Sequence, residues 1–399
     1  MSRALISLNS GSSSIKFGLY TLDQDGPRHA AGGKLEGIGS DPRIRIRQDD
    51  GVVLLEKSWP DGAGLTHEEL LGELFGWAQD HLREHEIVAV GHRVVHGGGI
   101  FRAPQRIDAA LIARLEAFCP LAPLHQPHNL AAIREIARMA PHLHQVACFD
   151  TAFHHAMPAV ATRLALPRRF AEKGLRRYGF HGLSYEYIAR RLGEIDPGLA
   201  AGRVIVAHLG NGASLCAMRD GAGIDTTMGF TALDGLMMGT RSGALDPGAV
   251  LHLQLQEGIS ARQVEAMLYG QSGLLGVSGV SGDMRVLHAS ADPHAKEAIE
   301  LFVWTVARHM AALIGSLEGL DGIVFTAGIG ENDAAIRSAI CARMAWAGVV
   351  LDEAANAANA PVITRSDSRI AVRVMPTDEE SMIAFHTFNK LRDQHGAMA

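Results

Sequence analysis

Apolar positions at the start of the chain fall into short runs, not helical stripes. Residues Ala4–Leu8 and Ile15–Tyr20 read as strands on either side of a polar turn, and Ile44-Arg45-Ile46-Arg47 alternates as a half-exposed strand does. Helical periodicity then takes over at 68–84 and 108–118 with a strand at 87–90 between them, and at 128–139 before a strand at 145–149. The second half repeats this order. Strands are expected at 204–207, 214–218 and 221–227, helices at 247–257, 261–269 and 295–317, and a strand at 322–326. A closing helix is expected over 381–392, with Met382, Ile383, Phe385 and Phe388 on one face. Strands first and β/α alternation afterwards imply, in each half, a mixed sheet covered by helices.

Composition narrows the class of protein. At 399 residues the chain exceeds the size at which one core stops growing, so two domains are expected, and with no low-complexity linker they should meet through a hinge. Apolar residues make up 47% and no uninterrupted apolar stretch approaches a membrane span. The first apolar run is too short for a signal peptide, so the expected location is the cytoplasm. Net charge is −6 and basic residues occur as isolated pairs such as Arg168-Arg169, Arg176-Arg177 and Arg190-Arg191, which speaks against nucleic acid. Cys119, Cys148, Cys216 and Cys341 are scattered without C-x-x-C spacing, and none of the 20 histidines falls in H-E-x-x-H.

Two glycine and serine turns carry most of the chemistry. Asn9-Ser10-Gly11-Ser12-Ser13-Ser14-Ile15-Lys16 and His208-Leu209-Gly210-Asn211-Gly212-Ala213-Ser214 each follow an apolar run and read as strand, tight turn, strand. Small residues let backbone N–H groups and hydroxyls approach an anion, and Lys16 adds a positive charge. Used twice, half a chain apart, this suggests two related halves facing one nucleotide. Neither the G-x-x-x-x-G-K-[ST] loop nor a protein-kinase catalytic loop is present. Taken singly, each cluster has a plain structural explanation: a hairpin, a core histidine, a helix cap.

Their joint order is more specific. Asn9–Lys16, His92-Arg93-Val94-Val95-His96-Gly97-Gly98, Phe149-Asp150-Thr151-Ala152-Phe153-His154, Tyr178-Gly179-Phe180-His181-Gly182, His208–Gly212, Met238-Gly239-Thr240-Arg241 and Gly328-Ile329-Gly330-Glu331-Asn332 together closely resemble the acetate kinase family, whose near relatives include propionate kinase. The resemblance runs from Asn9 to Glu380. It implies an α/β protein with the duplicated actin, Hsp70 and sugar-kinase (ribonuclease H-like) fold, built as two domains with mixed sheets flanked by helices. The expected division is 1–150 with 380–399, carrying the first phosphate loop and the closing helix, and a nucleotide-binding domain over 151–379. A homodimer, ATP and Mg²⁺ (or Mn²⁺ in its place) are implied, with acetate and ATP or ADP as substrates and neither nucleic acid nor membrane as partner.

The implied reaction is reversible phosphoryl transfer from ATP to acetate by direct in-line attack. A carboxylate with a pKa of about 4 to 5 is already ionised at neutral pH, so no general base is needed, and cationic clamps carry the catalysis. By resemblance Arg93 and Arg241 take the substrate carboxylate and the transition-state charge, and His181 steadies the transferring phosphoryl with His125 and His208 nearby. Asp150 and Glu379, with Asn9, organise the metal; Asp150 as a base is the weaker role. Ser12, Ser14, Lys16, Asn211 and Gly212 match the two phosphate loops. Asp283, Arg285, Gly328, Ile329 and Asn332 match nucleoside contacts.

The family's methyl pocket maps to Val95, Leu124, Phe180 and position 232, where many members carry proline and this chain carries Ala232. Loss of the ring carbons is expected either to admit one extra methylene, about 0.8 kcal/mol if buried, or to be filled by neighbouring side chains. Two alternatives stand beside acetate: propionate as the substrate, and a nucleotide-switched ATPase scaffold that would need no substrate arginines. A dinucleotide fold fails because Gly328-Ile329-Gly330 is followed at position 333 by Asp.

Overall fold

A computed structural model describes residues 2–11, 14–81, 85–123 and 125–396. Two compact units divide the chain, 1–152 with 378–399 and 153–377.

The first unit is built on strands β1 (Ser2–Ser10), β2 (Ser14–Leu22), β3 (Pro27–Glu36), β4 (Arg43–Arg47), β5 (Val53–Ser58), β6 (His85–Val94), β7 (Gln105–Arg106) and β8 (His144–Phe149). They lie in the order β5-β4-β3-β2-β1-β6-β8-β7. β1, β2 and β3 form an antiparallel meander; β6 is parallel to both β1 and β8. Ala4, Leu5, Ile6 and Leu8 are all buried, because β1 is a central strand covered on both faces. The C-terminal helix Glu379–Gly396 covers one face, packing Ala384, Phe388 and Leu391 against Leu5, Tyr20 and Ala89. It sits so close that a Cβ at Gly91 would collide with Thr387 and Ile383.

The second unit holds β9 (Arg203–Leu209), β10 (Ala213–Arg219), β11 (Ala222–Thr226), β12 (Gly322–Thr326) and β13 (Ala371–Val374), in the order β11-β10-β9-β12-β13. Again three antiparallel strands are followed by two parallel ones, matching β3-β2-β1-β6-β8. The 25-residue helix Pro293–Leu317 starts at an Asp292 cap and ends at Glu318 in the left-handed region. It is long and apolar enough to cross a membrane by composition, yet Ala298, Phe302, Val306, Met310, Leu313 and Leu317 are buried in the protein.

Most elements foreseen from periodicity are present, including Gly322–Thr326 to the residue. The helix expected over 68–84 is described as His67–His81, and 82–84 lie outside the described residues. β3 has no alternating pattern because Gly33 lies under the Phe17 ring and against the Arg45 carbonyl, which exclude a side chain. The helix Gly182–Ile195 is not among the elements expected from the sequence, although Leu183, Ile188 and Leu192 form a buried stripe along it. Its cap is His181 in the left-handed conformation, with no side-chain hydrogen bond to announce it.

Candidate active site

In the first unit the named side chains gather at the C-terminal ends of β1, β6 and β8, where ligands of open α/β sheets bind. Arg93 donates to Asp150 in a two-pronged fork, Nε to Oδ1 at 2.9 Å and Nη2 to Oδ2 at 2.6 Å. Its Nη1 donates to Asn9 Oδ1 at 3.1 Å and lies 3.6 Å from Glu379 Oε2. Asn9 Nδ2 in turn donates to Glu379 Oε2 at 3.1 Å. Asp150 is fully buried and Arg93 nearly so, with 0% and 17% of their side-chain surface exposed. Burial disfavours the Arg93 charge, but Asp150 and Glu379 outweigh it and hold the guanidinium above its ordinary range. Burial, with Glu379 beside it, raises the Glu380 carboxyl, while Lys16 opposes the shift.

Lys16 pairs with Asn9 in the β1–β2 register, one residue past Ile15, and Ser14 begins β2. Ser12 and Leu124 lie outside the described residues. His125 is the N-cap of the helix Gln126–Met139, whose Asn129 accepts from the Val95 backbone N–H at 3.1 Å.

The second unit assembles His181, His208 and Arg241. His181 occupies the left-handed region at φ 57°, a strained state for a non-glycine residue and a mark of functional positions. Two contacts hold it there. His154 Nε2 donates to the Phe180 carbonyl at 2.8 Å, and His181 Nδ1 meets Ser214 Oγ at 2.8 Å. The His181 and His208 rings stack with centroids 4.2 Å apart. Arg241 donates from Nη1 to the Ala232 carbonyl at 2.7 Å, so the backbone at position 232 aims the guanidinium. A Cβ at Gly212 would lie 2.9 Å from Arg241 Nη2 and 3.2 Å from His181 Nε2. The glycine therefore keeps open a spot on which an arginine and an imidazole converge.

A cavity of about 500 Å³ in the same unit is lined by Gly210, Asn211, Asp283, Arg285, Ile329 and Asn332, with Gly328 beside them. Six of the residues matched to nucleotide contacts thus share one hollow. Asp283 also caps the helix Met284–Ala289, accepting from Arg285 N–H, and its side chain pairs with Arg285 at 2.6 Å. Asp283 thus lines the cavity and caps the helix at once. Val95 belongs to the first unit and Phe180 and Ala232 to the second; all three are buried.

Among the described residues no three His, Cys, Asp or Glu side chains form a metal cluster. The donors foreseen for Mg²⁺ are two carboxylates, Asp150 and Glu379, and the Asn9 amide. An all-oxygen set of this kind fits a cation that keeps several waters and uses one or two carboxylates. Ser184, Tyr185, Ser214, Thr377 and His154 touch the site histidines or their loop, and sequence reasoning gave them no role. Their signal was adjacency alone: Ser184 and Tyr185 follow the Tyr178–Gly182 cluster, and Ser214 ends the second glycine turn.

Both units have the ribonuclease H-like arrangement of the duplicated actin, Hsp70 and sugar-kinase fold, α/β with mixed sheets flanked by helices. Comparison with known proteins narrows this class. A sequence model of the acetokinase family matches residues 4–385. An acetate kinase of Rhodopseudomonas palustris is 51% identical over 393 residues, covering 97% of this chain and 98% of its own. Among solved structures, acetate kinase of Porphyromonas gingivalis is 37% identical with TM-score 0.84, covering 98% of this chain and 100% of its own. A propionate kinase of Francisella tularensis is 38% identical with TM-score 0.88, covering 97% and 99%. The chain belongs to the acetokinase family.

Proposed function

We propose that the protein is a carboxylate kinase that transfers the γ-phosphoryl group of ATP to acetate, giving acetyl phosphate and ADP, reversibly and by direct in-line attack. The observation that carries this is the convergence of Arg241 Nη2 and His181 Nε2 over Gly212. A fixed cation and an imidazole at one spot suit the charge that spreads over the phosphoryl oxygens in flight. Nothing has to deprotonate the acetate, so Asp150, already forked to Arg93, acts on charge and position and not as a base.

The remaining roles follow from the family. Arg93 takes the substrate carboxylate, Val95, Phe180, Ala232 and Leu124 its methyl group, and the 500 Å³ cavity the nucleoside. Ser12, Ser14, Lys16, His125, His208, Asn211 and Gly212 attend the phosphates. Asn9, Asp150 and Glu379 would hold Mg²⁺ or Mn²⁺, which supplies charge neutralisation at the nucleotide phosphates when bound. A cytoplasmic location and a homodimer complete the reading. The dimer has support in the helix Pro247–Leu255, which buries none of its residues within the chain.

Hydroxamate trapping of acyl phosphate with ATP and Mg²⁺, across formate, acetate, propionate and butyrate, tests this beside Arg241→Ala. Acyl phosphate that disappears in the variant supports the reading; ATP hydrolysis that survives without acyl phosphate favours an ATPase scaffold. Propionate is the second reading, favoured by Ala232 and by the likeness to a propionate kinase. Ala232→Pro is expected to lower the propionate-to-acetate ratio, and an unchanged ratio contradicts a pocket opened at that position.

A further inference from the structure

The two stacked imidazoles are wired to hydroxyls for which phosphoryl transfer has no direct use. Ser214 Oγ lies 2.8 Å from His181 Nδ1 and 2.5 Å from the Tyr185 hydroxyl. Ser184 Oγ lies 2.8 Å from His208 Nδ1 and accepts from Thr377 Oγ1 at 2.8 Å. Ser184 and Tyr185 are neighbours in the first turn of the helix Gly182–Ile195, and Ser214 faces His208 across the β9–β10 ladder. One helix turn thus serves both rings.

Counting protons fixes the direction of each chain. A hydroxyl has one proton to donate, and a buried O–H needs an acceptor. Tyr185, Ser214 and Ser184 are all 0% exposed. Burial holds the Tyr185 phenol well above its ordinary range, so its proton stays, and Ser214 Oγ is the acceptor in reach. Ser214 then has its own proton to give, and His181 Nδ1 is where it points. An imidazole that accepts at Nδ1 carries its proton at Nε2. The opposite direction would strand the Tyr185 proton in the core. Thr377, Ser184 and His208 repeat the pattern. Ring centroids 4.2 Å apart also disfavour two imidazolium ions.

We infer that Tyr185, Ser214, Ser184 and Thr377 are positioning residues whose hydroxyl relays fix His181 and His208 as neutral Nε2–H tautomers, side by side. At His181 that N–H faces the spot over Gly212 that Arg241 also reaches. The purpose of the relays, two aligned donors for phosphoryl oxygens, rests on the carboxylate-kinase reading. The tautomers themselves do not.

The test is histidine-selective ¹⁵N labelling of the full chain with long-range ¹H–¹⁵N correlation at neutral pH, the signals assigned with His181→Asn and His208→Asn. Both rings are expected to show protonated Nε2 and acceptor Nδ1. Ser214→Ala and Tyr185→Phe should move the His181 signal toward a tautomer mixture and lower kcat roughly tenfold with the ATP KM unchanged. Ser184→Ala should move His208 alone. Tyr185→Phe keeps the ring that packs edge-on to His154 at 5.6 Å, which separates loss of the proton from loss of packing. An Nδ1–H tautomer or an imidazolium at either ring of the wild type overturns the inference, as does a His181 signal unmoved in both variants. The spectra need no turnover, so this result is independent of whether acyl phosphate forms.

Discussion

Arg93 binds Asp150 through a fork and Asn9 through its third nitrogen, and Asp150 has no exposed side-chain surface. Removing a partner from a buried ion pair costs about 3–5 kcal/mol, so Arg93→Ala should lower the urea midpoint as well as the activity. Arg241 is half-buried and aimed by the Ala232 carbonyl at the spot over Gly212, so Arg241→Ala should cut kcat by roughly 10²–10³. An Arg93→Ala midpoint equal to that of the wild type would contradict the first expectation, and an undiminished kcat in Arg241→Ala the second. Three other buried side chains make stability depend on pH. Burial pushes the His92, His96 and His154 imidazoles from 6.5 down to about 4. Above the unfolded value both states are neutral and stability is complete. Below it the unfolded chain takes up protons that the folded one refuses, and stability falls by about 1.4 kcal/mol per pH unit per ring until the folded value is reached. Urea midpoints that stay level as the pH drops from 6.5 to 4 would show that these rings charge in place. Arg93, Asp150, His181 and Arg241 stand out as candidates in the sequence because their flanking motifs are distinctive. Ser214 and Thr377 do not, since their partners, His181 and Tyr185 for the one and Ser184 for the other, lie far along the chain where no short spacing encodes them.

Among the described elements, the helix Pro247–Leu255 fully buries none of its residues. Asp246 caps it by accepting from the Gly248 N–H and Pro247 opens its first turn, so its start is well defined. Yet Leu251 and Leu255 are 54% and 73% exposed, and Leu245 just before it 47%. Apolar surface of this kind is where a second copy is expected to pack. Leu251→Glu with Leu255→Glu should therefore give a monomer by sedimentation velocity while the far-ultraviolet spectrum stays unchanged. A wild-type monomer, or a dimer that survives both substitutions, contradicts that assignment. Elements with a clean stripe or run, such as β12 and the helix Ala261–Gly270, were readable from the chain. β3, shaped by a neighbour, was not: it yields its side-chain space at Gly33 to Phe17, while the helix Gly182–Ile195 has a readable stripe but no side-chain cap to mark its start.

At the scale of the whole molecule, each unit repeats one plan, three antiparallel strands followed by two parallel ones, with a glycine turn closing the hairpin at its central strand. The two turns made that duplication visible in the chain, because a tight turn closing a hairpin needs small residues in sequence. The charge pattern inside each unit was not visible, because it depends on which strand ends meet. The central claim is that ATP turnover is tied to a carboxylate acceptor. It is tested most directly by measuring ADP and acyl phosphate together, with ATP and Mg²⁺, before and after acetate is added. The account predicts negligible ADP without acetate and a one-to-one yield of ADP and acetyl phosphate with it. ADP released at the same rate in both cases, with no acyl phosphate, would contradict it.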